Sequence, residues 1–534
     1  MQRLKFQGIR EIPSVKEMDE WLSKKSFGYE HSTILLFVCI MTYGVIFSGI
    51  TTFRHHAFMT RAWDLGIFTQ SLWTTLNANC FFYHTCELFI NPSGSFFGVH
   101  FSPILFLVLP LYWLFQTPET LLVLQSFILA FAAIQLYKLA KENGGGRSVG
   151  MVFAFAYLLY PATHAVNLYD FHVQAFLPLF FFSVVYYSTK EKWSKYFVFA
   201  VLSLMCDEHA AIITSFIGVY VAWMYRTTIV STIKRKDFTE KKLIVPLVTV
   251  IMGLGWYWFT IWQRNVFFPI NPETMSAFLG SPNFTILGAR TPLEVPLLVI
   301  LRPWNAIQAL VYDGSVKLLY IVLVFGPLAF LSFGKPSALI PTIPWFTFAL
   351  MSECGDHHSL GNQYEAYIVA FIFSAAVFTV RERFEKTSSL RNRSLKMILL
   401  CTFLFFIVSS PLVTVFNQIL DSGSPAHIGT HEIEINNVLN MIPQNASILT
   451  QDNLFPHVSH RVNAYVVPQR FFALGDIVVD FLNRTIDKVD YILVDNKTDP
   501  FATNVTISFL VTKQQFILET CRDGGTILLY KRQA

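Results

Sequence analysis

Long apolar segments alternate with short charged loops through the first 416 residues of the chain. A helix that crosses a membrane needs about 20 mostly apolar residues, and this pattern predicts eleven spans. They are residues 33–52, 119–137, 148–163, 174–189, 195–207, 209–225, 243–262, 316–333, 337–352, 365–380 and 396–416. Residues 102–115 are also apolar but contain two prolines, and we interpret them as an external interfacial or re-entrant helix. The alternative, a further span there, would invert the sidedness of everything that follows.

The pattern changes after residue 416. Short apolar runs now alternate with polar turns, at 447–450, 464–467, 491–494, 516–519 and 526–530, and helical patterns separate several of them. This alternation is typical of a small α/β domain, and the turn Asp523-Gly524-Gly525 predicts a terminal hairpin. The expected organisation is an N-terminal segment 1–32, a transmembrane domain 33–416 and an α/β domain 417–534.

The placement of basic residues predicts the orientation. With a cytoplasmic N-terminus, 25 of the 40 Lys and Arg residues fall in cytoplasmic segments, and six fall in outside loops before residue 417. Cytoplasmic loops of membrane proteins carry such an excess. Five glycosylation tripeptides also fall outside, at Asn283, Asn445, Asn483, Asn496 and Asn504, and one, at Asn392, falls inside. We expect a multi-pass cell-membrane protein with a cytoplasmic N-terminus and an extracytoplasmic C-terminal domain.

Composition narrows the class of protein. The chain has 534 residues, of which 53% are hydrophobic and 14% charged, whereas soluble domains are about 25% charged. A wholly soluble enzyme is therefore excluded, and membrane lipids are the expected surroundings. The net charge of +5 is explained by the cytoplasmic loops, so it gives no reason to expect a nucleic-acid partner.

The unusual polar residues lie at the outer ends of spans or in outside loops. They are Arg61-Ala62-Trp63-Asp64, His84, His100, Asp170-Phe171-His172, Asp207-Glu208-His209, Asp356-His357-His358 and Glu365. Ionisable groups at membrane depth are costly and are usually functional. We therefore expect them to form one pocket at the outer membrane face, in which Asp64, Asp170 and Glu208 converge.

Each acidic motif also has a purely structural interpretation. Asp64 precedes a helical pattern, so it is either a base or metal ligand, or an N-cap. Asp170 and His172 alternate as in an extended segment, which suits a divalent metal pair, but a loop aspartate and an interfacial histidine give the same pattern. Asp207 and Glu208 interrupt an apolar hairpin, as a functional pair or as a solvated turn.

The remaining motifs are less specific. The Asp356-His357-His358 segment has no zinc-ligand spacing and is equally compatible with a solvated loop. Cys80 and Cys86 are six residues apart in a predicted outside loop and could form a disulfide, and Cys354 or Cys521 could also take part. The chain contains no phosphate-binding loop, nucleophile elbow or dinucleotide fingerprint, so nucleotide-driven chemistry is not expected.

Several segments together resemble one prokaryotic family of predicted polytopic membrane proteins, whose architecture is similar to that of the GT-C superfamily. They are Trp63–Gln70 with Leu72-Trp73, His100–Pro103, Pro118–Gln125, Asp170–His172, Glu208 and Gln363-Tyr364, so the resemblance covers roughly residues 60–375. Enzymes of the GT-C superfamily are integral-membrane glycosyltransferases that use polyprenyl-phosphate-linked sugars. The resemblance implies an α-helical, GT-C-like membrane fold of about eleven spans with an outer α/β domain.

The resemblance also implies roles for particular residues. Asp64 matches the first-loop acid of GT-C enzymes and would act as catalytic base, while Glu208 is the second implied catalytic residue. Asp170 and His172 look like the second acidic motif and would hold a divalent metal, Mg²⁺ or Mn²⁺. The similar family often has Lys-Glu-Asp where this chain has Asp207-Glu208-His209, which puts a lysine-dependent role in doubt. The implied substrate-binding residues are Arg61, Trp63, His100, Asp207, His209, Arg302, His357, His358, Gln363 and Glu365.

The expected function is transfer of a sugar from a polyprenyl-phosphate donor to a glycan, lipid or protein acceptor at the outer face. Asp64 would deprotonate or orient the acceptor hydroxyl. Either the metal, or Arg61 and Arg302, would take the charge of the leaving phosphate. One alternative is a transporter or lipid flippase, but transporters place ionisable groups near the membrane midplane, often in repeats. A second alternative is a non-catalytic scaffold or sensor.

Overall fold

A computed structural model describes residues 15–270, 281–421, 427–468, 471–513 and 515–533 of the chain. The helices up to residue 270 are Val15–Ser23, His31–His56, Ile67–Asn77, Leu105–Leu114, Pro118–Gly144, Arg147–Leu158, Pro161–Leu168, Leu177–Thr189, Trp193–Leu204, Glu208–Met224, Arg226–Arg235 and Lys241–Phe267. The later helices are Val295–Leu301, Pro303–Val311, Gly314–Phe325, Ile343–Met351, Val369–Lys386, Ser388–Ser409, Pro411–Leu420, Thr430–Leu439, Phe471–Ile486 and Pro500–Lys513. The protein is therefore mainly helical, as the apolar segments predict.

Fewer helices than expected are long enough to cross a membrane alone. Among the described residues, four qualify by length and composition: His31–His56, Pro118–Gly144, Lys241–Phe267 and Ser388–Ser409. The number rises to seven if each of three bent helix pairs is one span. The eleven expected spans are not reached by this criterion, because several of the apolar segments form shorter or broken helices. The orientation of the termini remains a prediction.

Proline explains where one expected span breaks. The segment expected as span 148–163 divides into Arg147–Leu158 and Pro161–Leu168, which meet at 44°. Pro161 lacks the N–H that would continue the first helix and is well suited to begin the second.

The apolar segment 102–115 forms only Leu105–Leu114. Ten residues rise about 15 Å, half the thickness of the hydrocarbon layer, so this helix cannot cross a membrane alone.

The C-terminal part contains a five-stranded mixed sheet. Its strands are Ile448–Thr450, Ala464–Val466, Tyr491–Asp495, Phe516–Arg522 and Ile527–Arg532. The first strand lies between the second and third and is parallel to both. The fifth strand lies between the third and fourth and is antiparallel to both. The expected α/β domain is confirmed, and the turn at Asp523-Gly524-Gly525 closes the terminal hairpin.

This C-terminal domain, called the outer domain after its predicted side of the membrane, packs directly on the loop that follows the first long helix. The Gln70 amide donates to the carbonyl oxygens of Arg461 and Ala464, and the hydroxyls of Thr69 and Ser459 lie 2.8 Å apart. Gly66 permits the close approach, since a Cβ atom there would lie 2.6 Å from the ring of Phe455. The segment that carries Asp64 is thus held against the outer domain.

Candidate active site

The first acidic motif forms a short π-helical turn, Ala62–Gly66, immediately before the helix Ile67–Asn77. Asp64 lies in this turn with its side chain 16% exposed, and its Oδ1 atom is 3.3 Å from Nε2 of His172. Trp63 beside it is half-buried, and its indole N–H has no hydrogen-bond partner among the described residues. The structure therefore brings together two of the expected site residues, one from each motif.

The contacts of His172 indicate where its protons lie. Its Nδ1 atom is 3.1 Å from the backbone carbonyl oxygen of Asp170, which can only accept a hydrogen bond, so Nδ1 carries a hydrogen. Nε2 on the other side of the ring faces the Asp64 carboxylate at 3.3 Å. The ring of His172 thus lies between the Asp170 carbonyl and Asp64.

A buried glutamine holds the loop that carries Asp170 and His172. The side-chain amide of Gln125 donates to backbone carbonyls within 166–170, at distances of 3.0 to 3.3 Å. Its Oε1 atom accepts the backbone N–H of His172 at 2.8 Å. Gln125 ends the Pro118–Gln125 motif and is nearly fully buried. It therefore positions the second acidic motif without being part of it.

Asp170 faces the start of the Asp64 turn. Its Oδ2 atom accepts the backbone N–H of Arg61 at 2.6 Å. Burial, together with the nearby charge of Asp64, raises the pKa of Asp170 from 3.8 to about 7, although the Arg61 N–H, Arg54 and His172 oppose the shift. The Asp170 carboxylate is therefore poised to gain or lose a proton near neutral pH.

The third acidic motif forms the start of the helix Glu208–Met224. Asp207 caps this helix by accepting the N–H of Ala210 at 2.7 Å, and it is buried, so it does not form the solvated turn that was the structural alternative. Its Oδ2 atom also accepts from Gln174 at 2.7 Å and from the hydroxyl of Tyr367 at 2.5 Å. His209 packs beside the Tyr367 ring. Asp207 and His209 thus join neighbouring elements.

Glu208 pairs with a histidine from the long segment between the first two long helices. Nδ1 of His100 lies 3.1 Å from Oε1 of Glu208, with 36% and 16% of the two side chains exposed. Burial would lower the pKa of His100, but the Glu208 carboxylate raises it to about 9. Behind them, Nε2 of the fully buried His84 lies 3.4 Å from Glu87. His100 is therefore a cation at neutral pH and is held by Glu208.

Two contacts connect the Asp64 cluster (Asp64, Asp170 and His172) with the Glu208 cluster (Glu208 and His100). The backbone that carries His172 continues to Gln174, whose amide reaches Asp207 next to Glu208. In addition, the ring of Phe68 lies 5.7 Å from His172 and 4.9 Å from Phe96, which packs at 5.9 Å from His100. The two clusters are neighbours across one layer of aromatic rings.

Glu365 and the histidines near it form an adjoining group. Glu365 is buried against the hydroxyl of Tyr320, which accepts from the indole of Trp345 at 3.0 Å. His357 bonds Ser352 through Nδ1 at 2.7 Å. His358 is buried, and Gln363 is half-buried. The link to the other clusters runs through Tyr367, two residues after Glu365, which donates to Asp207.

Arg302 lies apart from the acidic clusters within the described residues. Its guanidinium contacts the carbonyl oxygen of Leu287 at 3.4 Å and packs over Gly288. The residue joins two short apolar helices, Val295–Leu301 and Pro303–Val311, and is exposed. The expected contribution of Arg302 to the charge of a leaving phosphate therefore has no support in these contacts, whereas Arg61 lies within the site.

The expected metal ligands do not form a closed set. No group of three His, Cys, Asp or Glu side chains close enough for a metal ion occurs in the described part of the chain. Asp170 is turned toward the Arg61 N–H, and His172 is turned toward Asp64. The residues present do not fit a resident divalent ion, and no step below depends on one.

All seven cysteines lie within the described ranges and are free. The disulfide considered for Cys80 and Cys86, or for Cys354 and Cys521, is not formed. Cys86 is buried, and its Sγ atom lies 3.7 Å from the Ala62 carbonyl oxygen. Its surroundings are those of a core side chain.

One residue of the site was not expected from the sequence. Asp452 follows the first strand of the outer domain, and its Oδ2 atom accepts from the guanidinium of Arg61 at 3.2 Å. Its Oδ1 atom accepts the backbone N–H of Ala62 at 2.8 Å. The available signal was the polar run Gln451-Asp452-Asn453 after an apolar strand, since the carboxyl ends of parallel strands often carry functional groups.

The fold defines a polytopic, mainly helical membrane protein with a C-terminal α/β domain. The structure of ArnT from Cupriavidus metallidurans bound to undecaprenyl phosphate matches 93% of this chain and 98% of its own, with a TM-score of 0.51 and 10% identity. The apo structure of ArnT matches 92% and 98%, with a TM-score of 0.41 and 10% identity. At such low identity the likeness shows the fold alone. No curated protein matches the sequence.

The chain belongs to the family described as "Predicted membrane protein (DUF2079)", which matches residues 54–527. The match includes the helical domain from the end of the first long helix onward and most of the outer domain. The resemblance to a family of predicted membrane proteins is thereby confirmed.

Proposed function

We propose that the protein is an integral-membrane glycosyltransferase that moves a sugar from a polyprenyl-phosphate donor to an acceptor at the outer membrane face. The observation that carries the proposal is the pairing of Asp64 with His172 beside Arg61, on a GT-C-like fold. The match to a structure bound to undecaprenyl phosphate supports a polyprenyl-linked lipid as donor. The acceptor is a glycan, a lipid or a protein.

In the proposed reaction, the oxygen of an acceptor hydroxyl attacks the anomeric carbon of the donor sugar. The bond between that carbon and the phosphate oxygen breaks, and its electron pair leaves with the polyprenyl phosphate. The hydroxyl proton passes to the carboxylate of Asp64, which acts as general base. His172, held by Gln125 and the Asp170 carbonyl, orients Asp64. The product has the opposite anomeric configuration.

The charge that develops on the leaving phosphate needs a cation nearby. Arg61 is the candidate on this side of the site: its side chain is 54% exposed and is anchored through one Nη atom to Asp452. A guanidinium has five N–H donors arranged to bind phosphate oxygens, so the anchored group can still bind a ligand. His100, made cationic by Glu208, is the second positive group. Glu208 holds this cation in place.

Turnover of defined donors by the purified protein tests the proposal. The protein in detergent is incubated with synthetic polyprenyl-phosphate sugars and membrane-extracted acceptors, and released polyprenyl phosphate is measured by mass spectrometry. We expect release by the wild type and a loss of about 10²–10⁴-fold in Asp64→Asn. Asp480→Asn, which alters an exposed carboxylate paired with Arg484 in the outer domain, is the matched control.

The outcomes separate the proposal from its alternatives. Equal release by wild type and Asp64→Asn would remove Asp64 from the reaction. Movement of a labelled lipid across vesicles that contain the protein, without release of polyprenyl phosphate, would instead favour a flippase. If the protein neither releases polyprenyl phosphate nor moves the labelled lipid, the result would favour a scaffold.

A further inference from the structure

We propose that Asp452 of the outer domain is a positioning residue for the reaction, which holds both Arg61 and the turn that carries Asp64. The inference rests on the proposed function, because the positioned groups are those assigned to the base and to the phosphate. It makes the outer domain a part of the active site.

The backbone at the start of the Asp64 turn is held by two carboxylates from distant parts of the chain. The N–H of Arg61 donates to Asp170 at 2.6 Å, and the N–H of Ala62 donates to Asp452 at 2.8 Å. The first N–H groups of a helical turn have no acceptor within the turn. Two charge-assisted hydrogen bonds therefore determine where the turn begins, and with it the position of Asp64.

The same carboxylate also sets the direction of the Arg61 side chain. Oδ1 of Asp452 accepts the Ala62 N–H, and Oδ2 accepts from Nη1 of Arg61 at 3.2 Å. The Asp452 side chain is only 4% exposed, whereas that of Arg61 is 54% exposed. A buried carboxylate thus holds one end of a guanidinium on a side chain that is otherwise more than half exposed.

Neighbouring contacts keep Asp452 itself in place. The side-chain N–H of the adjacent Gln451 donates to the carbonyl oxygen of Asp495, and its side-chain oxygen accepts the Asp495 N–H. Farther along the chain, Phe455 packs against Gly66, and Ser459 lies 2.8 Å from Thr69. These contacts join the strand end of the outer domain to the Asp64 segment as one packed unit. A shift of the outer domain would therefore move the base and the cation together.

Two substitutions and their combination test this role. Asp452→Asn keeps an oxygen that can accept the Ala62 N–H but loses the charge that holds Arg61. We expect kcat/KM to fall about 10-fold to 100-fold, as for displacement of a positioning group by about 1 Å. In protein that already carries Arg61→Ala, Asp452→Asn should add less than about 3-fold, because residues in one network are not additive. Asp452→Glu should recover part of the activity.

A second measurement does not depend on turnover. Hydrogen–deuterium exchange of the backbone at 61–66 should rise in Asp452→Ala, which removes the acceptor of the Ala62 N–H, and stay unchanged in the control Asp480→Ala, with thermal unfolding recorded for each variant. Equal exchange in both variants, or a full additive loss in the double variant, would overturn the positioning role. The two proposals can fail separately. If the Asp452 variant exchanges faster but the wild type releases no polyprenyl phosphate, the positioning role stands and the proposed function is refuted.

Discussion

The loop that carries Asp170 and His172 should depend on one buried amide, that of Gln125. Gln125→Leu keeps the approximate volume but removes the amide that donates to backbone carbonyls within 166–170 and the oxygen that accepts from the His172 N–H. Two amide hydrogens can satisfy two of those carbonyls at a time. The substitution therefore removes about three hydrogen bonds in a buried place.

The size of the effect follows from that count. Leaving a buried polar group without a partner costs about 1–3 kcal/mol, so three lost bonds are expected to destabilise the loop by about 3 kcal/mol or more. Because His172 orients Asp64 at 3.3 Å, loosening the loop should lower transfer by about 100-fold. The wider fold should persist, since the rest of the helix Pro118–Gly144 is unchanged.

A matched control lies on the same helix. Gln135 is also buried, but its side chain makes no hydrogen bond among the described residues. Gln135→Leu should therefore leave transfer near that of the wild type. Transfer is measured as released polyprenyl phosphate, and hydrogen–deuterium exchange of peptides covering 166–172 reports the loop. Equal exchange and equal transfer in the two variants would refute the role of Gln125.

Three further predictions follow from the same contacts. The raised pKa of Asp170 means that its stabilising contribution is lost as pH rises from about 4 to about 7, so the Tm of the wild type should fall across this range relative to that of Asp170→Asn. Gly66→Ala places a Cβ atom 2.6 Å from the Phe455 ring and should increase proteolysis between the two domains, whereas Gly49→Ala, which meets open space, should not. EDTA should leave transfer unchanged, because Arg61 and His100 supply the positive charge for the phosphate, and a loss restored by Mg²⁺ or Mn²⁺ would instead assign a metal to Asp170 and His172.

The fold class could be predicted because it depends on local patterns. Apolar runs of membrane length mark the helices, and the short alternating runs after residue 416 coincide with all five strands of the outer sheet. Span lengths were predicted less well, because composition alone does not show where a helix breaks. At Pro161 the missing N–H ends a span that hydrophobicity alone would continue.

The candidate site could be predicted only in part, for a related reason. Asp64, Asp170 and Glu208 were visible as acids near apolar segments, because charge there is rare. Asp452 was not, because an acidic residue in a polar part of the chain is ordinary and its partner Arg61 is distant in sequence. The role of Arg302 stays a prediction, since a basic residue between apolar runs can also lie exposed at the surface, as Arg302 does.

The exposure of the charged groups indicates how a substrate would meet the site. The two cations are the most open groups, at 54% of the Arg61 side chain and 36% of that of His100. The carboxylates of Asp64 and Glu208 lie deeper, at 16% each. An anionic headgroup approaching from the open side would therefore meet positive charge before negative charge. This order favours a phosphate-bearing lipid over a cationic ligand. Under the proposed function the two clusters would act together, since the cations would bind the phosphate and Asp64 would accept the proton of the acceptor hydroxyl.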